Sequence, residues 1–592
     1  MSKQIETDSK KEGPGTNIPQ IIEQFEGVGS DSSFSPSPRN VEFENAKSDV
    51  KFEQDKSNIG KASLRFAGAG AEFQFKKSSI HDLFPAQLWK HFSELNNIPR
   101  ESRKTEKVSK FIQQFGISLK LQVKADSLGN VLITKPASKG RENRPSVCLQ
   151  SHLDMVCEKE VGSSFNFDTD PIITKIVENG EFGPKLTGNG TSIGAGVAAA
   201  MAILEDRNLI HGPIECLFTV DEEIGMIGAR ALSPDFITSP YLVNLDSEED
   251  WRITVGCAGG FNFENRIQVK VDKIFNPDVH SSLKIELGGS ISGHSGCDVH
   301  QGQSNNMIQL ARLLRGAQEG VVAKSQRGIE KKKEKEDDNE KFKFNIYDIS
   351  GGTKRNVLPQ RAEVKIIIDK KNEKKFREKL EELYDDIIDE YEAVEPNLFL
   401  KIENIQISEE DQNNIITHED TTRLISIILT TSHGILRMSP VTPGLVESSI
   451  NFFGIKYKKD EEQHTIIQGF FARSSSNSQL ELILNTNKAR ASLLGIEMSD
   501  PDSFYSGWSP DINNPLFTAA KEAFIEANAG KQPEIYCVHA GLECGILKQI
   551  YPKIFAISLG PFIQNPHTIR ESLHLRSLEP FYSTVTKLLE RI

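Results

Sequence analysis

Residues 147–154 read Val147-Cys148-Leu149-Gln150-Ser151-His152-Leu153-Asp154, a short apolar run that ends on a histidine and an acid. The pattern recurs three times. Ile214-Glu215-Cys216-Leu217-Phe218-Thr219 leads into Asp221-Glu222-Glu223, Tyr241-Leu242-Val243-Asn244-Leu245 into Asp246-Ser247-Glu248-Glu249, and Ile554-Phe555-Ala556-Ile557-Ser558-Leu559 into Gly560-Pro561 and then His567. Apolar runs of this length, bounded by polar and turn residues, read as buried strands. Helical segments, 198–207 and 541–548 among them, lie between the runs. Alternating strands and helices predict an α/β fold with a mostly parallel sheet and helices on both faces, and such sheets bind ligands in the crevice at the carboxyl ends of their strands. All four polar clusters are therefore expected to face one crevice.

The fourth run follows the third after about 300 residues, so an inserted domain interrupts the sheet. The expected organisation is a disordered tail over 1–80, the first part of the main domain over 81–261, the insertion over 262–493 and the second part over 494–592. The tail is rich in Ser, Lys, Glu, Gly and Pro, and a stretch such as 27–38 buries too little apolar surface to offset its ordering entropy. The run Lys324 to Lys341 interleaves both signs of charge without an apolar stripe, which reads as a solvated loop or helix extension. It fills only part of an insertion of about 230 residues, whose size suggests an internal doubling or an added loop.

Composition excludes several classes of function. With 83 acidic against 70 basic residues and a net charge of -13, the chain is not expected to bind nucleic acid, where Lys and Arg clusters carry the phosphate contacts. The nearly uncharged stretch Ile193 to Leu204 falls short of the roughly 20 residues a bilayer demands. The first residues have no apolar segment and carry acids early, unlike a secretory signal, so a cytoplasmic protein is expected. Seven cysteines, an odd number without a Cys-x-x-Cys pair, read as reduced core thiols.

The residue types at the strand ends suit a metal. His152 is a natural ligand, and Asp154 would fix its tautomer and orientation by accepting the other ring N–H. Adjacent Glu222 and Glu223 repel in a confined crevice unless a cation compensates them or one takes up a proton. One of the pair could hold the cation while the other, its pKa raised, moves a proton from the attacking water to a leaving amine. Asp246 supplies a hard oxygen and His567 a second imidazole, whereas Ser247-Glu248-Glu249-Asp250 reads as exposed charge.

These residues, in this order, resemble the aminoacyl-histidine dipeptidases, or cytosol non-specific dipeptidases, of the zinc-dependent superfamily that includes aminoacylases and glutamate carboxypeptidases. The matching blocks are 149–156, 219–229, 244–249 and 256–260, then Ser292-Gly293-His294-Ser295-Gly296, Gly351-Gly352-Thr353-Lys354-Arg355-Asn356, His539-Ala540-Gly541-Leu542-Glu543-Cys544-Gly545 and Gly560-Pro561 with Pro566-His567. The resemblance implies a zinc-exopeptidase-like sheet interrupted by an α+β lid, and two divalent metals, zinc with manganese or cobalt as alternatives. It places His152 and Asp246 on one metal, Glu223 and His567 on the other, and Glu222 as general base, with Asp154 beside His152 among the catalytic residues. His294, from the lid, would polarise the substrate carbonyl. Asn356, Arg473 and Gly541 would bind substrate, Arg473 through the terminal carboxylate. The implied activity is hydrolysis of dipeptides, Xaa-His or broader, by a soluble enzyme with no nucleic-acid or membrane partner, in which a homodimer is one possible assembly.

One block departs from that family. Its pattern Gly-Thr-Thr-Leu-Gly-Ala-Asp-Asn-Gly-Ile-Gly carries the Asp that bridges both metals, and this chain reads Gly190-Thr191-Ser192-Ile193-Gly194-Ala195-Gly196-Val197. No acid occurs between Phe182 and Leu204. A mis-joined exon, a one-metal enzyme and a non-catalytic metal-binding relative each account for the gap. A further alternative within the enzyme class is an amidohydrolase of N-acyl amino acids.

Overall fold

Side-chain alternation sorts the four runs onto two buried faces. Val147, Leu149, Ile214, Cys216, Phe218, Val243 and Ile557 join one core with the helices Ala86–Asn96, Ala195–Glu205, Pro515–Ala527 and Leu575–Arg591. Cys148, Leu217, Leu242 and Ala556 join another, under the helix Glu543–Ile550. The computed structural model describes residues 79–160, 162–188, 194–324, 340–352, 354–460 and 463–592, all within one unit, Ala69–Ile592. The expected disordered tail, up to residue 78, and residues 325–339 of the charged run lie outside the described residues.

The strands form an 8-stranded sheet in the order Gln122–Ala125, Val131–Lys135, Ile214–Thr219, Val147–His152, Tyr241–Asn244, Phe555–Ser558, Arg252–Cys257, Glu534–Val538. Its centre is parallel: Val147–His152 pairs in parallel with Ile214–Thr219 and Tyr241–Asn244, and Phe555–Ser558 with Tyr241–Asn244. The α/β sheet with helices on both faces is thus present, with antiparallel pairs at Gln122–Ala125, Val131–Lys135 and where Phe555–Ser558 meets Arg252–Cys257. In the helix Ala195–Glu205 every residue but Glu205 is buried. Gly196 permits this approach, since a Cβ there would lie 2.3 Å from the Leu245 carbonyl oxygen.

The long insertion forms a 10-stranded antiparallel sheet with its own core. Strands His280–Gly288, Phe344–Gly352, Ala362–Asp369 and Phe399–Asn404, with helices Asn306–Glu319 and Lys370–Tyr391, make a βαββαβ unit whose strands order 4-1-3-2 in space. Gly259–Gln268, Val446–Lys459, His464–Ser474 and Glu497–Met498, with helices His418–Leu429 and Asn477–Leu494, repeat that topology. The second strands of the two units pair with each other, Gly351 opposite Ile455, so two copies of one motif share a sheet. This doubling accounts for the size of the insertion. The sheet begins at Gly259 and takes in Asp502–Tyr505, beyond both ends of the 262–493 interval.

Local signals set the helix ends. Asn305 caps Asn306–Glu319 by accepting from the Met307 amide, and Gly320, at φ 68°, closes it in the left-handed region that glycine adopts without penalty. All seven cysteines are free, five of them buried, while Cys157 is half-buried and Cys297 exposed, so the reading of core thiols is corrected for those two. Among the described residues no helix is long and apolar enough to cross a membrane.

Candidate metal centre

Because the central strands run in parallel and nearly in register, with Thr219 opposite His152 and Asn244 opposite Gln150, the polar residues that follow them emerge level with one another. His152, Asp154, Glu222, Glu223, Asp246 and His567 line a single cavity of about 630 Å³, together with His294 and Gly541. Two histidine–carboxylate contacts span it: His152 Nε2 lies 3.3 Å from Asp246 Oδ1, and His567 Nε2 lies 3.3 Å from Glu223 Oε2. His152, Glu222 and Glu223 each offer a ligand atom within 4.8 Å of the others.

Asp154 organises this end of the sheet. It is buried, lies 3.4 Å from His152 Nδ1, and accepts hydrogen bonds from the amides of Glu222 (3.0 Å) and Glu223 (3.2 Å) and from the Ser102 hydroxyl (2.8 Å). Burial opposes its charge, but His152, the Glu222 amide and Ser102 outweigh that cost and hold its carboxyl at about 2. The preceding Asp221 sits at φ 56° and His567 at φ 58°, left-handed conformations uncommon for residues with a Cβ. Such backbone strain is concentrated where side chains must be aimed.

Charge in the cavity is strongly unbalanced. Burial, reinforced by Asp246, Glu543 and Glu223 and opposed by His152, pushes the Glu222 carboxyl well above its ordinary value. Burial and Asp246 push Glu248 up to about 8. The hydrogen bond to Glu223 raises His567 to about 9, and at His152 the pull of Asp246 and Asp154 outweighs burial and raises the imidazole as well. Carboxylates that resist ionisation beside imidazoles that resist deprotonation are the signature of an excess of negative charge that a bound cation neutralises. Imidazole and carboxylate together are also a zinc-type donor set, so the residues fit a divalent metal.

A second group comes from the doubled sheet and its loops: His294 lines the cavity, and Arg473 lies against His294, outside the lining. The amides of Gly296 (3.3 Å) and Cys297 (3.1 Å) donate to His294 Nδ1, which leaves Nε2 carrying the proton. Gly296 permits this turn, since a Cβ there would lie 2.2 Å from the His539 carbonyl oxygen. Burial and Arg473 lower His294 to about 4, so it is neutral near pH 7. Arg473 Nη2 lies 3.3 Å from His294 Nε2, its guanidinium lies 4.3 Å from the Phe471 ring centroid, and it is only 4% exposed. Among the described residues Arg473 has no carboxylate within ion-pairing distance. Two donors that face each other with no acceptor between them suit an anionic or carbonyl oxygen.

Asn356 stands apart from the cavity lining: its side chain is exposed, and only its carbonyl, accepting from the Ser295 amide at 2.8 Å, ties it to the His294 turn. Ser247-Glu248-Glu249-Asp250 is half-buried, which corrects its reading as exposed charge: the loop folds back over the cavity, and Glu249 pairs with Arg252. Arg100 and Glu571, which also line the cavity, were not anticipated. Glu571 accepts from the His567 amide at 3.1 Å, a contact foreshadowed only by its position four residues on. Gly194 to Val197 line the cavity without contributing a carboxylate, and Gly190 to Ile193 lie outside the described residues.

The comparisons with known proteins agree with this architecture. A family model described as peptidase family M20/M25/M40 matches residues 148–591. The cytosol non-specific dipeptidase of Escherichia coli (strain K12) is 33% identical over 524 residues, covering 87% of this chain and 99% of that protein. The crystal structure of aminoacylhistidine dipeptidase from Vibrio alginolyticus matches with a TM-score of 0.73 at 29% identity, covering 87% of this chain and 98% of that one. With the family match running from within the first crevice strand to the last residue but one, and the bacterial relative aligned over nearly its whole length, this chain is a member of peptidase family M20/M25/M40.

Proposed function

We propose that this protein is a metal-dependent dipeptidase that cleaves Xaa-His and other short dipeptides. The observation that carries the reading is the pair of histidine–carboxylate contacts across one cavity, His152 with Asp246 and His567 with Glu223, with Glu222 within reach of both His152 and Glu223. Those four residues would hold two divalent cations, zinc by donor type. When bound, the cations polarise a peptide carbonyl and acidify a water.

Glu222 has the environment of a general base. It is a carboxylate in the cavity beside the His152–Asp246 and His567–Glu223 pairs, placed to take the water proton and pass it to the departing amine. Asp154 fixes the Glu222 backbone and the His152 ring together, so base and ligand keep one spacing. His294 Nε2–H and Arg473 then share the substrate's oxygens, His294 at the carbonyl that becomes an oxyanion and Arg473 at the terminal carboxylate. A requirement for that carboxylate near the reacting carbonyl restricts substrates to dipeptides. The doubled sheet and its loops, which carry Arg473 and His294, act as a lid domain over the catalytic residues, and Gly541 forms part of the cavity wall, packed against the Tyr505 ring and Met226. A cytoplasmic location rests on the name of the Escherichia coli relative.

Both ligand pairs and Glu222 are present together, which favours a catalytic over a non-catalytic reading. Hydrolysis of a panel of free dipeptides by the purified chain, followed before and after chelation and zinc readdition, tests the proposal. Turnover lost on chelation and recovered with zinc is the expected result; its absence from the zinc-loaded chain overturns the reading.

A further inference from the structure

Polar side chains run across the central sheet at a level where apolar ones would be expected. Gln150, Asn244 and Ser558 lie side by side in register on three adjacent parallel strands, and Thr254 lies opposite Ser558 on the fourth. Gln150, Asn244, Ser558 and Thr219 are fully buried, and Thr254 is nearly so. The hydrogen bonds form one continuous chain. Gln150 donates to Glu543 and accepts from Asn244 at 2.6 Å, Asn244 accepts from Ser558 at 2.5 Å, and Ser558, its own proton spent on Asn244, accepts from Ser247 at 2.7 Å. Thr219 also donates to Glu543 Oε2, at 2.8 Å. Glu543 opens the helix Glu543–Ile550 that covers this face, and it is 1% exposed.

The position of the ladder gives it meaning. Side chains two apart on a strand share a face, so Gln150 stands directly beneath His152, and Asn244 ends the strand that leads, two residues on, to Asp246. Val, Ile or Leu at these positions would extend the apolar core without needing partners, and a buried polar network is tolerated only when its members are satisfied. A hydrogen-bonded ladder does what an apolar layer does not: it fixes the lateral and rotational setting of each strand against the next. We propose that Gln150, Asn244, Ser558 and Glu543 are positioning residues that hold His152 and Asp246 at the separation one cation requires. This rests on the proposed metal site.

The Glu543 contacts separate geometry from charge. Its Oε2 accepts both hydrogen bonds while Oε1 has no partner, so Glu543→Gln keeps the ladder and removes the carboxylate. Gln150→Met breaks the ladder between Glu543 and Asn244, and Ser558→Ala removes one hydroxyl toward its other end, a milder change expected to fold where Gln150→Met does not. Each full-length variant would be stripped of metal, titrated with zinc against a chromophoric chelator, loaded with cobalt for its visible spectrum, and melted without metal. Disturbed outer partners of metal ligands cost about 10- to 100-fold in affinity. Gln150→Met is expected in that range and Ser558→Ala at its lower end, both with an altered cobalt spectrum, while Glu543→Gln binds zinc as the wild type does. Wild-type affinity and spectrum in a folded Gln150→Met or Ser558→Ala, whatever its melting temperature, overturn the proposal, as does loss of affinity in Glu543→Gln. A wild-type chain that takes up no zinc overturns the metal site itself and the ladder's role with it.

Discussion

Replacing Arg473 by Met tests the assignment of the substrate's carboxylate. The guanidinium is almost wholly buried, has no anionic partner among the described residues, and rests on the Phe471 ring with one nitrogen 3.3 Å from His294 Nε2. Removing one partner of a buried, hydrogen-bonded charge pair costs about 2 to 5 kcal/mol. The middle of that range, about 3 kcal/mol, corresponds to roughly 150-fold in kcat/KM. The assay compares a free dipeptide with its C-terminal amide for wild type and variant, so that the loss is apportioned by a double-mutant cycle. The wild type should favour the free acid by about two orders of magnitude, and Arg473→Met should discriminate little. Because a buried cation without a partner is a cost to the folded state, the substrate-free variant should also melt no lower than the wild type. Equal losses on free acid and amide would refute the reasoning, since the arginine would then serve something other than the carboxylate.

Other consequences follow from the same geometry. His294→Gln should lower kcat about 10²- to 10³-fold with little change in KM, as expected when one oxyanion donor is lost; steady-state kinetics at pH 7 decide it. Asp154→Asn should weaken zinc binding about 10- to 100-fold, because it unpins His152 and the Glu222 and Glu223 amides at once, and chelator competition reads the change. His433 is held at about 4 by burial, and its Nδ1 accepts from the Phe452 amide at 3.2 Å. The unfolded chain takes up this proton near pH 6.5 and the folded one only near 4, so stability is full above 6.5 and falls as the pH drops toward 4. The loss amounts to at most about 3 kcal/mol. His433→Gln should flatten the dependence of denaturant midpoint on pH over that window, and an unchanged slope would count against it.

The four crevice strands were legible because central strands, buried on both faces, leave continuous apolar runs, and the predicted and observed ends differ by a residue or two. Parallel pairing then brings the residues after them together without any further signal. The contribution of the doubled sheet was legible only through resemblance, since His294 and Arg473 are 179 residues apart and meet through the doubling of a sheet. That sheet starts at Gly259, ahead of the expected 262, and a Cβ there would lie 2.2 Å from the Gly507 nitrogen, so the glycine serves a close backbone crossing. Glu248 looked solvated because neighbouring acids usually are, and the folding back of its loop depends on contacts remote in sequence, such as Ser247 with Ser558. Gln150 and Asn244 did leave a mark, as polar residues inside otherwise apolar runs.

The most direct test of the account is Glu222→Gln, measured for dipeptide turnover and zinc content on the same preparation. General-base catalysis contributes about 10²- to 10⁴-fold, so turnover should fall by at least the lower figure. Two zinc ions per chain should remain bound, because His152, Asp246, Glu223 and His567 are untouched. Turnover within a few-fold of the wild type, with zinc retained, would contradict the account.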